Sequence, residues 1–177
     1  MTMRLKISRY AIALAFAALA VPPAVARAEP AVVRVDNSHY RGTWLEIGRR
    51  PMWLTDGCVA GYTTYRPGPR AGQILVEDGC REGTPTGKLK TVTGKGELLD
   101  VETTRAKLRV RYPLLITFNY WVLYEAPGRD WFISADPEMK NLWIYSRRVP
   151  SKHKLSVMVK KAKSLGYDVR KLEFPAQ

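Results

Sequence analysis

Apolar and polar positions alternate with a period of two through much of the chain. AKLRVRY shows this most clearly: Ala106, Leu108, Val110 and Tyr112 share one face, and Lys107, Arg109 and Arg111 share the other. Such alternation predicts a strand with one dry face and one wet, basic face. Short runs of similar type follow Cys58: VAGYTTYR, QILVEDGC, GKLKTVTG, KGELLDV, NYWVLYE, DWFISAD and NLWIYSR. Turn signals such as PGPRAG, APGR and PEMK separate several of them. About eight strands at short spacing predict an all-β antiparallel sandwich or barrel. The period then changes. In SKHKLSVMVKKAKSLGYD, Leu155, Met158, Val159, Ala162 and Leu165 recur at helical spacing. Ser151 is the expected N-cap, Gly166 the expected stop, and VRKLEF reads as a short final strand. Together these elements predict an eight-stranded antiparallel up-and-down β-barrel with a C-terminal α-helix packed outside.

The first 28 residues have a different character. Arg4, Lys6 and Arg9 precede the apolar run AIALAFAALAV, and Ala26 and Ala28 then stand in A-x-A spacing. Basic, apolar, then small is the layout of a cleaved secretory signal. The apolar run is short for a membrane span. No cysteine lies near the expected cut, so a lipid-anchored N-terminus is not expected. Residues 29–177 then form a single domain, long enough to bury a core. The formal net charge is +13; losing the leader's four basic residues leaves +9. An excess of this size favours anionic surfaces such as lipid headgroups, and an exported address disfavours nucleic acid.

Cys58 and Cys80 are the two cysteines, and export makes a disulfide between them the default. A hairpin centred at residue 69 would place them directly opposite each other, as disulfide geometry requires. That register also pairs Gly61 with Glu77, Thr63 with Leu75 and Tyr65 with Gln73, on the face opposite the cysteines.

YRGTWLEIGRRP, with Gly42-Thr43-Trp44, then Arg129-Asp130-Trp131, then NLWIYSRRVP carrying Arg147, occur in that order. In these motifs the chain resembles the lipocalins, and within them the bacterial and apolipoprotein D-like branch. The resemblance covers nearly all of residues 29–177. It implies that Trp44 plugs the closed end of a barrel with the Arg147 guanidinium stacked on its ring, and that Gly42 and Asp130 belong to the same structural motif. The chain departs from the branch at Leu45 and Trp131, where tyrosine is usual, and at Glu77, where asparagine is common.

The expected ligand-binding wall comprises Gly61, Thr63, Tyr65, Leu75 and Glu77 from the first hairpin, and Leu108, Val110 and Tyr112 from the alternating strand. From NYWVLYE it takes either Tyr120, Val122 and Tyr124 or Trp121 and Leu123; the resemblance favours Tyr120 and Val122. Trp131 and Ile133 complete it. Glu77, if inward, is a ligand contact or half of an ion pair, or else the register slips by one. The PGPRAG turn with Arg70 is expected at the open mouth.

No G-x-S-x-G, P-loop or dinucleotide fingerprint is present, and His39 and His153 read as structural. No catalytic residues, metal site or cofactor are expected. The leading expectation is a periplasmic or secreted carrier of a small hydrophobic or amphipathic ligand, such as a fatty acid or lysophospholipid, serving envelope lipid storage, transport or repair. The alternatives are a module that docks on anionic membrane through Lys107, Arg109, Arg111, Lys160, Lys161 and Lys163, and, further off, an enzyme on the same barrel. One consequence is directly measurable. The exported protein should begin near Glu29; an intact mass that retains the leader would remove the secretory reading.

Overall fold

A computed structural model describes residues 28–177, so the expected leader lies outside the described residues except for its last position. Eight strands form a closed antiparallel barrel in chain order. They are β1 (Gly42–Arg49), β2 (Cys58–Pro67), β3 (Gln73–Glu82), β4 (Leu89–Leu98), β5 (Lys107–Arg111), β6 (Thr117–Glu125), β7 (Trp131–Ala135) and β8 (Leu142–Ser146). β1 closes the ring by pairing with both β2 and β8. The helix α1 (Lys152–Ser164) follows. Ser151 caps it, its hydroxyl accepting from the Lys154 N–H at 3.2 Å. Gly166, at φ +87°, takes the left-handed conformation just past its end. The late strand is a single antiparallel bridge between Arg49 and Glu173.

GKLKTVTG and KGELLDV prove to be one strand, β4, and the eighth strand is the GTWLEIGR segment ahead of Cys58. The glycine between them does not break the strand because it serves packing. A Cβ on Gly94 would lie 2.5 Å from Val110 Cγ1 and 2.8 Å from the Tyr112 ring. The missing side chain gives those residues of β5 their interior space.

Two apolar layers result. Trp44, Tyr65, Val76, Leu108, Val110, Val122 and Phe132 pack inside the barrel. Ile47, Trp121, Leu123, Trp131, Ile133 and Ile144 pack outside it, beneath Met158 and Ala162 of α1. β7 and β8 are therefore buried on both faces, which is why WFISA and LWIYS lack alternation.

The first hairpin differs from the expected register. Thr63 pairs with Asp78, Thr64 with Glu77, Tyr65 with Val76 and Arg66 with Leu75. The turn lies further along the chain, closed by Gly68 N–H to Gln73 O at 2.8 Å and Gln73 N–H to Arg70 O at 3.0 Å. The shift reverses the parity of β3: Ile74, Val76 and Asp78 face inward, whereas Leu75 and Glu77 face out. Cys58 is paired with Glu82, and the disulfide reaches diagonally to Cys80 with a Cα–Cα distance of 5.5 Å. An irregularity between Val59 and Tyr62, with Ala60 at φ 45°, brings Cys58 onto the same inner face as Gly61 and Thr63. The cysteines therefore share the face from which they were expected to point away. The PGPRAG turn lies at the closed end, since Gly42 pairs with Tyr65 beside it, so Arg70 is remote from the mouth.

The disulfide closes a separation of 22 residues. Loop-closure entropy puts its contribution at about 3 kcal/mol. A Cys58→Ser, Cys80→Ser double variant should lose about that much in denaturant unfolding; a loss below about 1 kcal/mol would show that the ladder alone constrains the hairpin.

Candidate functional site

The site is built on a sealed floor. Trp44 is 1 % exposed, and the Arg147 guanidinium lies 3.4 Å from its ring centroid. Arg147 also donates to Thr43 O at 2.8 Å and to Arg41 O at 2.9 Å, so the stacking cation satisfies two chain carbonyls. A contact of this type is worth about 0.5–2 kcal/mol. Gly42 is required chiefly by its φ of +70°, which lets the chain turn over the arginine. The Asp130 carbonyl accepts from Arg147 N–H at 2.8 Å, and its carboxylate lies 3.4 Å from Lys154 Nζ. Sequence reasoning gave His39 no partner. It lies in the floor, its Nδ1 2.7 Å from Glu125 Oε1 and its carbonyl accepting from Trp44 Nε1 at 3.0 Å. A bulge between Val122 and Tyr124 turns Glu125 inward to meet it.

Above this floor the barrel opens into a cavity of about 370 Å³. Four rings form much of its wall: Tyr112, Phe118, Tyr120 and Trp143, the last two with centroids 4.7 Å apart. Glu46, Arg49, Thr63 and Asp78 bring polar groups to it, and Gly61 lies among them. Met52, Leu54, Val92, Leu114 and Ile116 line its outer part, together with the Cys58–Cys80 bridge.

Of the residues expected at the ligand, Gly61, Thr63, Tyr112 and Tyr120 line this cavity. Tyr65, Leu108, Val110 and Val122 point inward but lie within the packed lower half. Four are elsewhere. Leu75 is 41 % exposed on the outer surface. Glu77 faces out toward Arg66, 3.8 Å away, and accepts weakly from the Tyr62 hydroxyl at 3.4 Å. Trp131 and Ile133 lie on the outer face under α1, where the helix supplies the burial their composition demands. The bulge in β6 likewise sends Tyr124 outward, against Trp131.

The sequence reading missed Glu46, Arg49, Asp78, Phe118, Trp143 and Tyr145. Glu46 and Arg49 would lie on opposite faces of a regular strand. A bulge between Glu46 and Gly48 brings both inside, where Arg49 Nη1 donates to Glu46 Oε1 at 2.6 Å. Arg49 also donates to Glu173, Thr55 O and Cys58 O, anchoring the chain's end and the first mouth loop. Asp78 accepts from Thr63 Oγ1 and from the Tyr112 hydroxyl, each at 2.5 Å, and the Tyr112 and Tyr120 hydroxyls are 3.2 Å apart. Burial pushes the Asp78 carboxyl above its ordinary value, although both hydrogen bonds pull it down. Burial also raises Glu46, against the opposing pull of Arg49. Tyr112 and Tyr120 are held well above the usual phenol value, again by burial, and so remain protonated donors. Among the described residues, no group of three His, Cys, Asp or Glu side chains is arranged to hold a metal ion.

The profile described as "Lipocalin-like domain" matches residues 35–177. The chain belongs to the lipocalin family. This lipocalin is 31 % identical over 142 residues to temperature-induced lipocalin-1 of Arabidopsis thaliana, covering 75 % of this chain and 74 % of that one. Insecticyanin from the tobacco hornworm Manduca sexta superposes with a TM-score of 0.63 at 18 % identity, over 85 % of this chain and 84 % of its own. Lobster apocrustacyanin A1 gives 0.60 at 13 % identity, over 80 % and 79 %. At these identities the two structures attest the fold alone.

The floor of this lipocalin makes a prediction about acid. Burial holds His39 below its ordinary value, against the pull of Glu125. The unfolded chain takes up a proton below about pH 6.5 that the fold resists, so stability should fall as pH drops through that value. His39→Gln removes the titrating group while leaving an amide opposite Glu125. The stability of wild type relative to this variant should decline between about pH 7.5 and pH 5. A difference that stays flat would show that His39 is protonated as readily inside the fold as outside it.

Proposed function

We propose that this lipocalin carries a small hydrophobic or amphipathic ligand in the upper half of its barrel, in a periplasmic or secreted setting. The observation that carries the reading is the cavity of about 370 Å³ left above a floor that is packed shut. That volume suits one single-chain amphipath and falls within the usual range of small-molecule pockets. Burying ten to twelve methylenes at about 0.8 kcal/mol each gives roughly 8–10 kcal/mol before ordering costs, enough for micromolar affinity. Fatty acids and lysophospholipids are the lipid classes of that size, and envelope lipid storage, transport or repair are the roles they suit. The disulfide supports the exported address.

Loading from an anionic membrane surface accompanies this reading, but through the mouth. Leu114 and Leu115 are 90 % and 98 % exposed on the β5–β6 loop, and Trp53 is exposed on the β1–β2 loop. Of the six basic residues first expected to dock, two have acidic neighbours: Lys107 sits 3.9 Å over the Trp121 ring and 3.2 Å from Glu29, and Arg111 lies 3.6 Å from Glu97.

Native mass spectrometry of the exported protein should reveal a co-purified amphipath, and the neutral probe N-phenyl-1-naphthylamine should bind with a micromolar Kd. Absence of any lipid, with no probe bound up to about 100 μM, would end the carrier reading.

A further inference from the structure

The cavity's charges are unevenly matched. Glu46 and Arg49 form an ion pair at 2.6 Å, and Arg49 is further committed to Glu173 at 2.6 Å and to two backbone carbonyls. Four of its five N–H groups are thereby used. Lys90 stands at the rim, 56 % exposed, with Glu82 Oε1 2.5 Å from its ammonium. Asp78 has no cation within ion-pair distance among the described residues, and its partners are two neutral hydroxyls. It is the carboxyl on the lining left without a counter-charge. Tyr112 bonds it directly, the Tyr120 hydroxyl lies 3.2 Å from that of Tyr112, and the Trp143 ring lies 4.7 Å from the Tyr120 ring along the same wall; aromatic ring faces carry negative potential.

We propose that this pocket selects amphipaths with a cationic ammonium head, seated head-first on Asp78 near the Tyr112 and Tyr120 rings, with the tail filling the apolar part of the cavity between Asp78 and the mouth. The proposal rests on the carrier reading and narrows its ligand class. A carboxylate head would meet Asp78 without a free cation to receive it. An ammonium supplies the missing charge and donates to the carboxylate, while the rings add cation–π attraction. The orientation follows from the topology: Thr63 and Asp78 sit in the middle of β2 and β3, whereas Leu54, Leu114 and Ile116 belong to the β1–β2 and β5–β6 connections at the mouth. Burial already pushes the Asp78 carboxyl upward, and a bound cation would relieve that cost. Of the two lipid classes above, a fatty acid does not fit these terms, and a lysophospholipid fits them only with its ammonium on Asp78 and its phosphate toward the Lys90 rim.

The test is isothermal titration of the full exported protein with three ligands that share a twelve-carbon chain, below their aggregation concentrations: dodecylammonium, dodecanol and dodecanoate. Dodecylammonium should bind at least about tenfold more tightly than either of the others, the equivalent of about 1.4 kcal/mol. Asp78→Asn should abolish the preference, so that dodecylammonium binds this variant no more tightly than dodecanol does. Dodecanoate binding as tightly as dodecylammonium would overturn the proposal and leave the carrier reading standing, as would a preference that survives Asp78→Asn. Binding of none of the three would overturn both. The wild-type comparison of head groups decides the matter even if the variant does not fold.

Discussion

Closure of the sheet is the constraint on which everything else depends. β1 must pair with β2 on one side and β8 on the other, so no backbone edge is left open. A ring of eight strands has a circumference that side chains can nearly fill. Large residues on every inward position would make it solid. Here the lower half is solid, with Trp44, Tyr65, Phe132 and Tyr145 packed across it, and the upper half is not. The difference comes from small residues at interior positions of the upper half, Gly61 and Thr63 on β2, and from rings that stand against the wall.

Closure also needs strands that bend, and the bends decide the chemistry. Irregularities occur in β1 near Ile47, in β2 near Ala60 and in β6 near Leu123. Each adds a residue and reverses parity beyond it. The first brings Arg49 inward beside Glu46. The second puts the disulfide on the inner rim, and the third delivers Glu125 to His39. A perfectly regular barrel with this sequence would have none of these three pairings. The same small distortions therefore shape the cup, seal its floor and set the polarity of its cavity.

The polar groups in this cavity impose costs that an apolar lining would avoid. A buried carboxyl is tolerated when hydrogen bonds and counter-charge replace lost water. Glu46 has both through Arg49; Asp78 has only hydrogen bonds. This asymmetry separates a group that holds the mouth loop in place from one that faces open space.

The amino-acid order by itself determined the architecture. Period-two runs, a late helical period, the N-cap at Ser151 and the ordered pieces Gly42-Thr43-Trp44 and Arg147 suffice for a barrel with an outer helix, because burial on one face per element imprints that face on the sequence. It also determined the inward parity of β5, where one side is dry and the other wet. It could not place Trp131 and Ile133, because strands covered by α1 are apolar on both faces and leave no period to read. Nor could it place Glu77 and Asp78, because a hairpin register depends on where the turn closes, and adjacent acidic residues give no preference. The positions of Glu46, Arg49 and Glu125 were decided only by tertiary structure, since a bulge is a response to closing the ring and has no local signature strong enough to announce it.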